Sequence, residues 1–399
     1  MLKRLLVLMM VLLGASGAAR AAEPEALALI LDLIAAKSGV RPTYGKLEVS
    51  ANGVVTLTNV TLSVKNPAEP DDRNETHAKQ IILRGLSTDQ GVVTVRGAEI
   101  TGFTHQRSIF SMEVLQIDSM FAELGVDPPG SIGRAVDDKI SIGELSASVW
   151  TLDTQAAMTG DDKALIAAMG VENMHAKDLS LLSSGTPLKA AGFSMELQRR
   201  RSAGPNGRHY EIEDLVLSAP ILQALFGTAP AELGYSNLTV NADAQTSFEA
   251  TQAQGSASVK ADGAGDLHFI WDLSGVDISQ LVIGSNLQNV IAASPQARVE
   301  IARGRYVDKG AAARMMLLLE RQTGASRAQL AGALAAQAAS EMRRAGFRRV
   351  AGETETALAE LLGNGRDLLL MLSGAPLASL AGGNAAGLEK AGLTVKNGR

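Results

Sequence analysis

Apolar and polar positions alternate along the stretch from Tyr235 to Ile283. Leu238, Val240, Ala242 and Ala244 interleave with Thr239, Asn241, Asp243 and Gln245, which places the apolar set on one face of a strand. The alternation resumes after Gly255 with Ala257, Val259 and Ala261 against Ser256, Ser258, Lys260 and Asp262. After the Gly263/Gly265 turn, Leu267, Phe269, Trp271 and Leu273 share a face. Three such strands joined by glycine-bearing connections predict a meander with one apolar and one polar face.

The same reading extends toward the N-terminus. Pro24 in the first turn, the stripe Leu27, Ile30, Leu31 and Ile34, and Gly39 predict a helix. Leu47 and Val49, then Val55, Leu57, Val60, Leu62 and Val64, predict strands around an Asn52-Gly53 turn. Asn66 to Lys79, with Pro67, Pro70, Asp71 and Asp72, reads as a solvated loop, and strands resume at Ile81–Leu83 and Val92–Val95.

A strand running into one or two helical turns occurs three times. Val114–Ile117 leads to Met120–Leu124, Leu215–Leu217 to Pro220–Phe226, and Phe269–Leu273 to Val276–Ile283. The spacing is irregular, so a fixed-period solenoid is excluded. Asp178, Asp214 and Asn237 each precede a Leu, which reads as Asx chemistry at the start of a strand. The Gly-, Pro- and Arg-rich stretch Arg199 to Arg208 reads as a joint.

From Asp308 the period becomes helical. Asp308 is placed to cap a helix carrying Ala312, Met315, Met316 and Leu319, and Ser326 a second with Leu330, Leu334 and Met342. Glu353 to Leu362 is a third, Leu368–Leu372 a buried strand, and Leu393–Val395 a terminal strand. The fold class expected is therefore α+β: antiparallel meander sheets with short helices at strand ends, and a C-terminal helical module docked over the Phe269 and Trp271 face. The expected divisions are 1–22, a β-rich domain over 23–205, a meander over 206–306 and the helical module over 307–399.

The order of meander, Tyr306-Val307-Asp308-Lys309-Gly310, helices, Asp367–Leu372 and Gly392–Val395 resembles a class of exported alphaproteobacterial proteins of unassigned function. The β-rich front half is similar to bacterial envelope proteins of the AsmA type, and that resemblance implies a link to lipid traffic.

Composition narrows the setting. The chain has 399 residues, 46% hydrophobic but only 4% aromatic, so its core must be aliphatic and alanine-rich. Lys3 and Arg4, the apolar run Leu5–Leu13 and Ala19-Arg20-Ala21 read as a cleavable signal over 1–22, pointing to the periplasm. No later segment is apolar long enough to span a membrane. Cysteine is absent, which excludes disulfides, thiol nucleophiles and thiolate metal sites. A net charge of −5 gives no general attraction to nucleic acid.

Chemistry is sparse. His77, His105, His175, His209 and His268 stand at no metal-ligand spacing, and no nucleophile elbow or phosphate-cradling loop is present. The pairs Asp71/Asp72, Asp137/Asp138 and Asp161/Asp162 lack the pattern of a calcium loop. No catalytic, cofactor or metal residue is therefore expected. Two basic clusters, Arg199, Arg200 and Arg201 with Arg208, and Arg343 and Arg344 with Arg348 and Arg349, suit anionic lipid headgroups, or else simple solvation. The expected function is non-catalytic and periplasmic or cell-envelope, binding a lipid or other apolar ligand between sheet and helices. An adaptor using a sheet edge for envelope partners and a hydrolase with a dispersed site are the alternatives.

Overall fold

The computed structural model describes residues 24–66, 69–109, 136–159, 169–183, 186–198, 207–227, 229–277, 287–381 and 385–398. Within them the chain is α+β, with antiparallel strand pairing and most helices in the C-terminal part. It divides into two compact units, Met1–Glu196 with Glu213–Leu225, and Leu197–Ile212 with Phe226–Arg399. The signal expected over 1–22 and the strand and helix expected over 114–124 lie outside the described residues.

The first unit opens with α1 (Glu25–Ser38), followed by β1 (Lys46–Val49), β2 (Val55–Asn66), β3 (Glu69–Arg84), β4 (Ser87–Asp89), β5 (Val92–Ile109) and β6 (Val136–Asp153). Then come α2 (Thr154–Thr159), β7 (Met169–Ser183) and β8 (Thr186–Gln198). Successive hairpins give the order β1-β2-β3-β5-β6-β7-β8, with the short β4 on β5. The loop expected over Asn66–Lys79 is for the most part β3. Its turn-forming residues cluster near the hairpin tip, while Thr76 and Ala78 further along are buried in the sheet's inward face. α1 buries Leu27, Ile30, Leu31, Leu33 and Ile34 in the same cluster as Leu57, Ile81, Ile100, Phe103 and Trp150.

These strands keep one apolar face by a break in their alternation. Buried residues in β5 fall at Val93, Val95, Ala98, Ile100 and Phe103, spaced two, three, two and three. In an ordinary strand, positions three apart point to opposite faces. At each gap of three, one row of residues crosses the sheet. The pairings Thr58↔Gln80, Gln80↔Thr101, Thr101↔Glu144, Glu144↔Lys177 and Lys177↔Gly192 align Asn59, Lys79, Gly102, Gly143, Asp178 and Ala191. Alternate members are left-handed, with φ 50 at Asn59, 60 at Gly102 and 53 at Asp178. A second row joins Gly85 (φ 60), Arg96 and Val149 (φ 44). The left-handed residue reverses the pleat, so Leu57 and Val60, or Ile100 and Phe103, both face inward. Pairing stays one-to-one on either side, so no strand gains the extra residue of a bulge. Gly, Asn and Asp are the residue types that adopt this conformation most readily. Asp178 and Asp214 (φ 47) therefore mark the middle of strands, not their starts.

The chain continues with β9 (Gly207–Ser218), whose first half belongs to the second unit, then α3 (Ala219–Phe226) and α4 (Ala229–Glu232). The second unit holds β10 (Asn237–Glu249), β11 (Gln252–Ala261), β12 (Gly265–Ser274), α5 (Leu287–Ala293) and β13 (Arg298–Asp308). Next come α6 (Ala311–Thr323), α7 (Arg327–Arg344), α8 (Arg349–Asn364), β14 (Leu368–Pro376), α9 (Ala378–Ala381), α10 (Ala385–Lys390) and β15 (Thr394–Asn397). The strand order is β10 through β15 in sequence. The meander turns at Ala250-Thr251, not at Gly255, which sits inside β11 opposite Trp271.

Asp308 caps α6 by accepting from Gly310 N at 3.1 Å and Ala312 N at 2.9 Å. Ser326 and Gln329 form a capping box on α7. Ala331 of α7 joins Ala312, Met316 and Leu362 in a small interhelical core. Val350 and Ala357 of α8 pack on Val395, with Leu368 at the edge of that contact.

The helical module thus packs on β14 and β15, and does not cover Phe269. Phe269 is 39% exposed, and in β14, expected to be buried, Leu370 is 45% exposed. Phe269→Ala should consequently cost about 1–2 kcal/mol, not the ~3–5 kcal/mol of a fully buried phenylalanine. Denaturant melts of the variant check this.

Candidate functional site

Cross-strand register assembles a continuous apolar surface in the second unit. Ala242, Val259, Leu267, Tyr306 and Leu368 stand in one row, and Ala244, Ala257, Phe269, Gly304 and Leu370 in the next. A third row runs through Gly255, Trp271, Ala302 and Leu372. Directly opposed residues share a face, so these fourteen positions lie side by side. Helices on one side of a sheet normally bury such a face. Here Val259 (38%), Leu267 (49%) and Leu370 stay accessible alongside Phe269. An exposed contiguous apolar patch on a folded chain marks a surface that meets something.

The two ends of this face differ. Toward Leu273 and Leu372 it runs into a buried cluster with Val276, Val290, Val299, Ala375 and Leu377. Toward the β11–β12 turn it becomes polar. The Tyr306 ring lies over Gly265, and its hydroxyl donates to Asp308 Oδ1 at 3.1 Å. Burial, then the Asp308 carboxylate, raise the Tyr306 phenol well above its ordinary range, so it stays protonated. Tyr235 donates its hydroxyl to Gly263 O at 2.7 Å, and the Arg314 guanidinium stacks 4.6 Å from its ring centroid. The opposite face is polar, with Gln245, Ser256, His268, Asp272 and Arg303, although Ile270, Ile301 and Met371 are exposed there.

Of the expected headgroup residues, Arg343 and Arg344 do not join this surface. Arg199, Arg200 and Arg201 lie outside the described residues. Arg343 donates to Glu355 at 2.7 Å and Arg344 to Glu341 at 2.5 Å, both at the exposed end of α7. Their charges are matched by carboxylates instead of gathered to meet a phosphate. Arg343→Ala and Arg344→Ala should each change stability by less than about 0.5 kcal/mol in urea melts, as exposed ion pairs do. Nothing in the local sequence distinguishes Arg314, whose partners Leu233 and Tyr235 lie on a distant segment.

Two of the histidines, His105 and His209, link neighbouring strands. His209 and Asp243 join β9 to β10 at 2.5 Å. His105 shares a 2.9 Å hydrogen bond with Thr76, which is buried in the inward face of the first unit. Desolvation, and then the Arg107 charge, lower the His105 pKa, with Asp138 opposing them. Above the ordinary histidine pKa of about 6.5 both folded and unfolded states are neutral there, and the stability is fully present. As pH falls below that value the unfolded state takes a proton first, so stability is lost through the acid side. Unfolding of wild type from pH 7 to 5 should therefore show a loss that His105→Gln lacks.

Among the described residues no three acidic or histidine side chains converge on a metal-sized site, and no helix is long and apolar enough to cross a membrane. Compared with models of protein families and with curated proteins, the chain finds no match.

Proposed function

We propose that this is a non-catalytic protein of the cell envelope that holds a lipid or another apolar ligand on the open sheet face of its second unit, beside the helices that pack on β14 and β15. The observation that carries the reading is the run of accessible apolar side chains through Val259, Leu267, Phe269 and Leu370, continuous with a buried apolar cluster at one end. Ligand sites combine mainly apolar lining with a few polar groups, and this face has that composition. The leader-like residues Lys3, Arg4 and Leu5–Leu13 support export.

Mass spectrometry of lipids retained by the purified mature chain tests the reading. Retention of apolar molecules that Leu267→Asp abolishes is the expected result. A wild-type chain that carries none, and binds no added apolar probe, overturns it. The exposed Ile270, Ile301 and Met371 on the other face favour a protein partner as the second reading, and a pull-down that depends on Ile301 instead of Leu267 would replace the first with it.

A further inference from the structure

The apolar face has relief, and the relief follows β13. Gly304 has no side chain between Phe269 on β12 and Leu370 on β14; a Cβ there would stand 3.7 Å from the Phe269 ring and 3.9 Å from Leu370 Cβ. Ala302, two residues back on the same face, keeps the floor low. Strands two apart are separated by about 10 Å between backbones, and the side chains of β12 and β14 narrow that gap further. At Gly304 the notch is about one carbon wide at Cβ height, a width suited to one methylene chain and not to a ring system or a peptide. From Ala302 to Tyr306 the furrow spans roughly 14 Å, at ~3.4 Å per residue.

Its ends give a ligand a direction. At Ala302 the furrow runs into the buried cluster around Val299 and Leu372, where only apolar atoms would be accommodated. At Tyr306 it meets the turn Gly263–Ala264, which Tyr235 and Arg314 also border. Charges border that end and not all are matched: Asp262, in the turn itself, and Arg314 have no ion pair among the described residues. Lys309 pairs with Asp266 at 3.7 Å, and Asp308 accepts from Gly310 N, Ala312 N and the Tyr306 hydroxyl. Arg314 reaches only Leu233 O, at 3.5 Å, besides its stacking on Tyr235, and it pairs with no carboxylate among the described residues.

We propose that the furrow over Gly304 seats one acyl chain whose anionic head lies at Arg314, so that the ligand is a single-chain anionic amphiphile. The inference rests on the reading of this face as a ligand surface, and adds the number of chains, their direction and the charge of the head. A guanidinium is suited to a carboxylate or phosphate head, since its planar fork of N–H donors matches either oxyanion.

Binding of dodecanoate and dodecanol to the mature chain, followed by calorimetry, tests it. Wild type should bind dodecanoate about five- to tenfold more tightly than dodecanol, the range of a charge-assisted contact at a partly wet site. Arg314→Gln should erase that preference while leaving dodecanol affinity unchanged. Gly304→Leu, which fills the furrow, should weaken both probes more than about tenfold. Ala302→Leu should do the same, and replaces it if Gly304→Leu does not fold.

Equal binding of the two probes, untouched by Arg314→Gln, overturns the head assignment and leaves the ligand face standing. Full binding by a folded furrow-filled variant overturns the seat. No binding of either probe by wild type removes the proposed function and this inference together.

Discussion

Trp150→Ala is expected to destabilise the first unit by about 3–5 kcal/mol, one of the largest losses a single side chain can produce. Trp150 is 1% exposed, lies opposite Val95 and Val171, and belongs to the cluster that receives α1. Removing the indole leaves a void that surrounding strands, pinned by pairing on both sides, cannot close. One factor works against the loss. The indole Nε1 is buried with no hydrogen-bond partner among the described residues, and deleting an unsatisfied donor recovers part of its desolvation penalty. Trp150→Phe retains most of the volume without that donor, and should fall within about 1.5 kcal/mol of wild type. Hydrogen exchange of β6 amides separates the two variants, because it reports on this unit alone.

Deletion of Gly102 should do more damage still. The residue resets the pleat between Ile100 and Phe103, and both of those side chains are almost fully buried. Removing it leaves Ile100 and Phe103 two apart, so β5 keeps both inward only by slipping one residue against β3 and β6, which sets its inward residues beside their outward ones. A one-residue slip of this kind forfeits a whole strand's burial, not one contact. The loss should exceed that of Trp150→Ala, leaving a chain whose first unit shows no protected core in hydrogen exchange. Gly102→Val keeps the count but forces a branched side chain to φ 60, with its Cβ 3.0 Å from Lys79 Cβ, and should cost about 1–2 kcal/mol. A deletion no worse than the substitution would show that the pleat reset is unimportant.

The same device explains how far the fold can be read from the residues. The second unit's meander has uninterrupted alternation from Leu238 to Leu273, and its helices carry recognisable caps at Asp308 and Ser326, so both are legible. The long strands of the first unit are not, because a gap of three between apolar positions imitates the end of one strand and the start of another. Lys177-Asp178-Leu179 reads as a boundary on local grounds, yet β7 runs through it. Asn66–Lys79 reads as a loop from Pro70, Asp71 and Asp72, and those residues outweigh Thr76 and Ala78 in any local count.

For the candidate site, the apolar face is written in the sequence but its accessibility is not. Whether helices cover Phe269 depends on where α8 finds its partner, and Val350 and Ala357 find it at Val395. The stacking of Arg314 on Tyr235 joins residues from separate elements, which no local pattern announces. Conversely, the conspicuous Arg343 and Arg344 are neutralised by Glu355 and Glu341, acids that become neighbours only through helical spacing and the packing of α7 against α8.

The alternation of left-handed and ordinary residues along each crossing row has a consequence for how such a sheet can be enlarged or trimmed. Asn59 on β2 faces Lys79 on β3, Gly102 on β5 faces Gly143 on β6, and Asp178 on β7 faces Ala191 on β8. Each hairpin therefore brings one strand of either kind. Duplicating or losing a whole hairpin preserves the order of the row, whereas gaining or losing a single strand would set two like conformations against each other. The heritable module of this architecture is the hairpin, and tolerated length variation among its descendants should come in pairs of strands.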